Sequence, residues 1–442
     1  MPGPEYDVIV TIGLDFGSST TKVCYRIQSP EIDKNGAVRF SGNDATSNGL
    51  LLDSVVYIAG DWQYLGHKEF AFSKKVRYLK TDLIARFEES KDIETHKRVC
   101  SYFMAYVIGA AKDYVENHEA RILNRHQAIW IVNIGVPVDH DGVGLEKIYR
   151  EMMHVAVLHH REAFRFYLIS RERWQGYYES SKDRPLKDMH IHLTPELLAE
   201  VTDVFEDHEV DDGLSIIVDV GSATVDIAVV ELDRHSSDVQ HNVGFIKAKV
   251  EALGVDNTVR YIQSKQGTDS DISIKKGLMD QSLFTEIYKM MHDHPYELRG
   301  LGGYGNNLVD IFHGVFSELL MEVKKTSSGN QFSAMRSIPL YLLGGGNCYY
   351  WYQQWPEAAH RARLSHCNVP KCDHQNLHHH PDIENLEKNM HHRFRVASGL
   401  LRMETMLTVT GYPSHFRMDN YPTTKVNLHE RLEARMAEKY GR

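Results

Sequence analysis

The sequence predicts an α/β protein, and two observations predict it. Runs with strand character alternate with runs of helical period along the chain, and one strand-turn-strand unit at 8–27 recurs at 214–232. A third observation bears on size: 442 residues are enough for two or three domains with substantial cores.

Taken in order, residues 7–14 and 22–28 read as strands around the turn "DFGSSTTK". "SVVYIA", 54–59, is another β-branched run. Residues 91–122 hold no proline and carry apolar residues at helical spacing, which predicts one long helix or two. "AIWIVNIGVPV", 128–138, reads as a buried strand ended by Pro137. Thr194, Pro195 and Glu196 offer an N-cap, a first-turn proline and an acidic first turn, predicting a helix over 195–206. A second cycle follows. "LSIIVDVGSATVDIAVVEL", 214–232, is strand, turn, strand; 306–326 is helical; "IPLYLLGGGN", 338–347, is a strand running into three glycines. Residues 393–410 and 428–440 read as helical, and 265–283 and 355–390 as polar, irregular insertions.

Composition excludes some functions. At 42% apolar and 25% charged residues, the chain has the make-up of an ordinary soluble globular protein. A net charge of -10 with no long basic block argues against general nucleic-acid binding. No apolar stretch reaches the ~18 residues of a membrane span, so no membrane partner is expected. The start, MPGPEYD, lacks the basic-then-apolar pattern of a signal peptide. Five cysteines make no disulfide framework in a chain this long, and Cys24 and Cys100 read as packing residues. A reducing, cytoplasmic location is the expectation.

The recurring unit carries the chemistry. "GLDFGSSTTKV" and "IVDVGSATVDI" each run from an apolar strand to an aspartate, one residue, Gly-Ser, a small residue and a threonine. The pattern is that of a tight hairpin whose glycine, Gly17 or Gly221, lets backbone approach a ligand closely. Successive turn amides, including that of Ala223, form an anion-binding concavity. The hydroxyls of Ser18, Ser19, Thr20, Ser222 and Thr224 can donate to phosphate oxygens, and Lys22 adds a compact positive charge. Asp15 and Asp219 would repel phosphate unless a divalent cation, held through water as Mg2+ prefers, lies between. Either turn alone is equally an ordinary hairpin, where Asp, Gly and Ser are common; two copies in register make that reading insufficient.

The ordered motifs resemble those of the actin-like ATPase superfamily, which includes actins, seventy-kilodalton heat-shock chaperones, plasmid-segregating actin homologues and sugar kinases. "DFGSSTTK" resembles its first phosphate motif, "DVGSATVD" its second, and "LLGGGN" (Gly344, Gly345, Gly346, Asn347) its adenosine motif. "IGVPV", 134–138, resembles the first inter-lobe connection and "RVASGLL", 395–401, the second. The resemblance implies two ribonuclease-H-like lobes around a central nucleotide cleft: 1–210 with 393–442 as one lobe, 211–392 as the other. It also implies ATP or ADP with Mg2+, the ion held by Asp15, Asp219 and Asp226.

Lys22, seven residues after Asp15, resembles the phosphate-contacting lysine of actins and plasmid homologues; Asp226, seven after Asp219, resembles the chaperones. "VRYLKTDL" places Lys80 roughly where chaperones carry a catalytic lysine, with Lys74 or Lys75 as competitors and a plain surface lysine as the simpler alternative. Glu196 lies where the family orients its attacking water. Glu200 competes with it, and an acidic first turn stabilised by the helix dipole is the plain alternative. "ALGVDNTV", 252–259, resembles a family Leu-Gly-Gly region near the phosphates, with Gly254 as a contact. About forty residues follow the second connection, too few for the chaperones' substrate-binding domain.

The resemblance therefore implies a slow ATPase that works as a nucleotide-driven two-lobe switch on a protein partner. A self-associating, filament-forming actin homologue is the alternative, and a small-molecule kinase a third possibility for which no acceptor motif is recognisable. Separately, "SHCNVPKCDHQNLHHHPDI", 365–383, gathers possible zinc ligands, Cys367, Cys372 and His374 among them, although histidine-rich loops are often only solvated surface.

Overall fold

The computed structural model describes residues 7–42, 45–64, 74–88, 93–137, 144–166, 168–183, 189–206, 210–233, 241–251, 253–255, 304–326, 329–348, 352, 367–375, 383–402 and 407–410. The expected helix at 428–440 and the polar stretches 265–283, 355–366 and 376–382 lie outside the described residues.

The chain is mixed α/β. Its strands are β1 (Asp7–Phe16), β2 (Thr20–Ser29), β3 (Ile32–Ala37), β4 (Ala45–Thr46), β5 (Leu51–Asp53) and β6 (Val56–Ala59). Next come β7 (Trp62–Tyr64), β8 (Lys74–Val76), β9 (Gln127–Val136), β10 (Leu168–Ser170), β11 (Met189–Pro195) and β12 (Gly213–Val220). The last are β13 (Val225–Asp233), β14 (His241–Glu251), β15 (Ser337–Leu343), β16 (Lys371–Gln375), β17 (Ile383–Glu384) and β18 (Leu407–Thr410).

They form three sheets among the described residues: β11-β9-β1-β2-β3-β17 with β5 and β4 at one side, β10-β7-β6-β8, and β16-β15-β12-β13-β14-β18. The two large sheets repeat one plan. In each, a central strand pairs antiparallel with its successor, which pairs antiparallel with the next; on the other side lie two parallel strands from later in the chain. The registers match as well, since Asp15 stands opposite Lys22 and Asp219 opposite Asp226.

Central strands buried on both faces need near-continuous apolar sequence, and β12 shows why. Ile216, Val218 and Val220 face one core, shared with Phe316, Leu319, Leu320 and Val323 of the helix Tyr304–Lys324. Ile217 faces the other, shared with Leu197, Leu198, Val201 and Phe205 of the helix Glu196–Glu206. On the first large sheet, Val10, Ile12 and Leu14 join a core with the long helix Glu94–His118 and the helix Leu145–Leu158.

Several expectations need correction. Pro195 ends β11, paired with Val136, so the helix starts at Glu196; parallel pairing to β9 holds Thr194 and Pro195 extended. "IGVPV" does not link the sheets: its first residues finish β9 between β1 and β11, and the chain passes to β12 through the helix Glu196–Glu206. Among the described residues of 393–410, Arg395–Gly399 is α-helical, and Leu407–Thr410 is strand β18 beside β14. Within the stretch read as irregular, Lys371–Gln375 adds an edge strand to β15, and Ile383–Glu384 pairs with β3. Cys24 and Cys100 are buried as expected, and no helix among the described residues is long and apolar enough to cross a membrane.

Candidate functional site

Both hairpin turns open onto one cleft of about 890 Å³, open to solvent. Asp15, Gly17, Ser18, Ser19, Thr20 and Lys22 line it from the first turn; Asp219, Gly221, Ser222, Ala223, Thr224 and Asp226 line it from the second. Gly344, Gly345 and Gly346 form a third side, with Lys80, Glu196 and Glu200 between.

Each turn is braced by hydrogen bonds, some of them from outside its own hairpin. Ser54 Oγ donates to Gly17 O at 2.7 Å and the Ser54 amide donates to Ser19 O at 2.9 Å. At the second turn, the Gly221 amide donates to Thr224 O at 3.0 Å, the Val255 amide to Gly221 O at 3.0 Å, and the Gly254 amide to Ala223 O at 3.1 Å. Gly254 therefore does not line the cleft: its amide is spent on the turn, and a side chain there would start 2.5 Å from Ser222 O. Of the described residues 253–255, Val255 reaches the cavity. Asn347 follows the glycines in a short 3-10 turn, and its side chain lies outside the described residues.

Lys80 is buried, which rules out the surface-lysine alternative, and its Nζ donates to both Glu196 oxygens at 2.5 Å. Lys74 is exposed, and Lys75 lies over the Tyr57 ring. Neither borders the cleft. Burial opposes the charge on Lys80, but Glu196 and Asp15 outweigh it and hold its pKa up. Burial raises Glu196 above the ordinary glutamate range, against the pull of Lys80.

Carboxylates crowd the floor. Lys22 Nζ meets Asp15 Oδ2 at 2.5 Å. Burial, then repulsion from Asp219 and Glu196, pushes Asp226 up to about 8. Burial pushes Asp219 up to about 6, with Lys22 and a hydrogen bond from Glu200 pulling the other way. Glu200 is lifted well above the glutamate range by burial, then by repulsion from Asp219 and Asp226, and its hydrogen bond with Asp219 adds to the rise. One oxygen of Asp226, Oδ1, is buried with no hydrogen-bond partner. A hard divalent cation suits this set: oxygen donors on two facing ladders, repelling each other, with one unsatisfied buried acceptor.

His392, Arg393, Arg395 and Val396 also line the cleft and were missed in the sequence. The signal is the basic run "HHRFR", 391–395, which leads into "RVASGLL"; that motif holds Arg395 and Val396 but reads as a connection and not as part of the site. Arg395 pairs with buried Asp203 at 2.6 Å, tying its short helix to the helix Glu196–Glu206. His392 is pushed down to about 4 by burial and then by Arg393, and is neutral at physiological pH.

Among the described residues, Cys367, Cys372 and His374 form no group of metal-ligand atoms within mutual reach. Among the described residues, the one group of three metal-ligand side chains within mutual reach is His118, Glu119 and Glu384, where Lys34 already pairs with both glutamates. Cys367 and Cys372 border the apolar core instead, and burial pushes the Cys372 thiol up to about 12. His366 and His378 to His380 lie outside the described residues.

No protein-family model and no curated protein matches this chain.

Proposed function

We propose that the chain is an actin-like, Mg-ATP-binding ATPase that acts as a nucleotide-driven switch between two lobes, closest in kind to a heat-shock-chaperone nucleotide-binding domain. One observation carries this: two hairpins from sheets of the same strand order aim glycine-hydroxyl turns, each with an aspartate, into a single cleft. Two separate phosphate-type turns on one cavity are hard to explain as ordinary hairpins.

In this mechanism the turn amides and the hydroxyls of Ser18, Ser19, Thr20, Ser222 and Thr224 bind the phosphates, and Lys22 supplies charge beside them. Asp15, Asp219 and Asp226 would hold Mg2+, which when bound neutralises charge building on the β- and γ-phosphates. Glu196 orients the attacking water, and Lys80, paired with it at 2.5 Å, holds that carboxylate in place. Gly344 to Gly346 line the cleft with backbone, against which the nucleoside would lie. Because Glu196 opens the helix that joins the two large sheets, hydrolysis at the cleft is coupled to their relative position.

The test is an ATP titration with and without Mg2+ on wild type and Asp15→Ala, followed by phosphate release from Glu196→Gln. Wild type should bind at least tenfold more tightly with Mg2+, Asp15→Ala should lose that gain, and Glu196→Gln should bind but release about 100-fold less phosphate. Equal binding in all four titrations would refute the metal-bridged site.

A further inference from the structure

The cleft is lined by four side chains that carry a permanent or near-permanent positive charge, and three of them are already neutralised. Lys22 is paired with Asp15, Lys80 with Glu196 and Arg395 with Asp203. Arg393 is the fourth. Among the described residues it has no carboxylate partner, and its Nε is buried without any hydrogen-bond acceptor. A buried guanidinium nitrogen left unpaired costs free energy, so the arrangement is explained best by an acceptor that arrives with a ligand.

The direction of the open valence is visible. A Cβ on Gly345 would lie 3.1 Å from one terminal nitrogen of Arg393, 3.2 Å from Nε and 3.5 Å from Cζ. The point is nearly equidistant from the two nitrogens and farther from the carbon, so it faces the two-toothed edge of the guanidinium. Any side chain at 345 would intrude on that edge. The edge geometry matches two oxygens of a phosphate or carboxylate, which an ammonium cannot engage in the same way.

We propose that Arg393 is the anion-reading residue of the cleft and takes the phosphate nearest the nucleoside, the α-phosphate. This rests on the nucleotide assignment above, because the position follows from where the other parts sit. The hairpin turns and the carboxylates take the far end of the triphosphate, and the glycine run takes the nucleoside. Arg393 lies against the middle glycine of that run. The adjoining His392 is neutral, so it does not compete for the anion.

The experiment measures binding of ATP, ADP, AMP and adenosine, with Mg2+ present, to wild type, Arg393→Ala and Arg393→Lys, with inorganic pyrophosphate as a further probe. Thermal unfolding of each variant checks that it folds. Arg393→Ala should weaken ATP, ADP and AMP by a similar factor, about tenfold or more, and leave adenosine unchanged; Arg393→Lys should restore only part of the loss. An equal loss for adenosine would move Arg393 onto the base or ribose and overturn the proposal. So would a loss for ATP with none for AMP, or no loss at all. If wild type binds no nucleotide but binds pyrophosphate in an Arg393-dependent way, the nucleotide assignment falls and the anion-reading role stands; if it binds none of the five, both fall.

Discussion

The two hairpins share a backbone plan and differ in charge at one ladder position. Between β1 and β2, Asp15 faces Lys22; between β12 and β13, Asp219 faces Asp226. The first pair neutralises itself at 2.5 Å. The second sets two buried carboxylates against each other, and their pKa values rise to about 6 and about 8. One local geometry thus yields a turn that is complete alone and a turn that needs an incoming positive charge, a proton or a metal ion. The cleft is asymmetric for that reason, and three perturbations test the asymmetry.

The most severe strikes the backbone behind the second hairpin. Gly344 has φ +79°, and a Cβ there would lie 2.0 Å from Asp219 Oδ1 and 2.5 Å from Val220 O. The matching strand of the first sheet, β9, ends at Val136 before Pro137 and needs no such residue. Gly344→Ala should lose roughly 3 kcal/mol of stability, since both the left-handed backbone and a backbone oxygen oppose it. Urea unfolding measures this, and a loss under about 1 kcal/mol would mean that Asp219 and the glycine turn are not locked together.

Much of this was legible in sequence. The hairpins, the glycine run and the buried helix Glu94–His118 could be read because each is a local pattern of period and turn chemistry. Lys80 and Glu196 were named from separate stretches, 116 residues apart, and the fold brings them into contact. What could not be read was set by distant pairing. Lys371–Gln375 looks polar and irregular, and becomes a strand only because β15 offers an edge. Gly254 looked like a phosphate contact because its neighbours resemble one; its amide instead meets Ala223 O, a bond between segments 31 residues apart that no local pattern encodes. Arg393 was invisible as a site residue because its meaning lies in lacking a partner, which only the assembled cleft shows.

A smaller effect is expected from pH without divalent cations. Asp226 keeps its proton in the folded chain up to about pH 8, whereas the unfolded chain has lost it above about pH 4. The folded state therefore binds more protons across that window, and stability must fall as pH rises through it. With Asp219 deprotonated above about pH 6, at least one proton remains in play between pH 6 and 8. Stability should decline there by about 1.4 kcal/mol per pH unit, and saturating Mg2+ should flatten the slope. A pH-independent stability over this range would mean that the Asp219–Asp226 pair does not set the second turn apart.

The mildest perturbation separates the proton from the charge. Asn is close in shape to a protonated aspartate, so Asp226→Asn copies the form that the second hairpin holds at pH 6. Its stability at that pH should stay within about 1 kcal/mol of wild type, because the amide replaces a neutral carboxyl. Above pH 6 the variant should lose much of the decline, since the group that titrates near 8 is gone. Mg2+ affinity should drop about tenfold, because one of three anionic donors is now neutral. Calorimetric Mg2+ titration at pH 6 and pH 8 reads both effects at once. If the variant binds Mg2+ as well as wild type at pH 8, the charge facing Asp219 has no part in holding the ion, and the difference between the hairpins is a matter of stability alone.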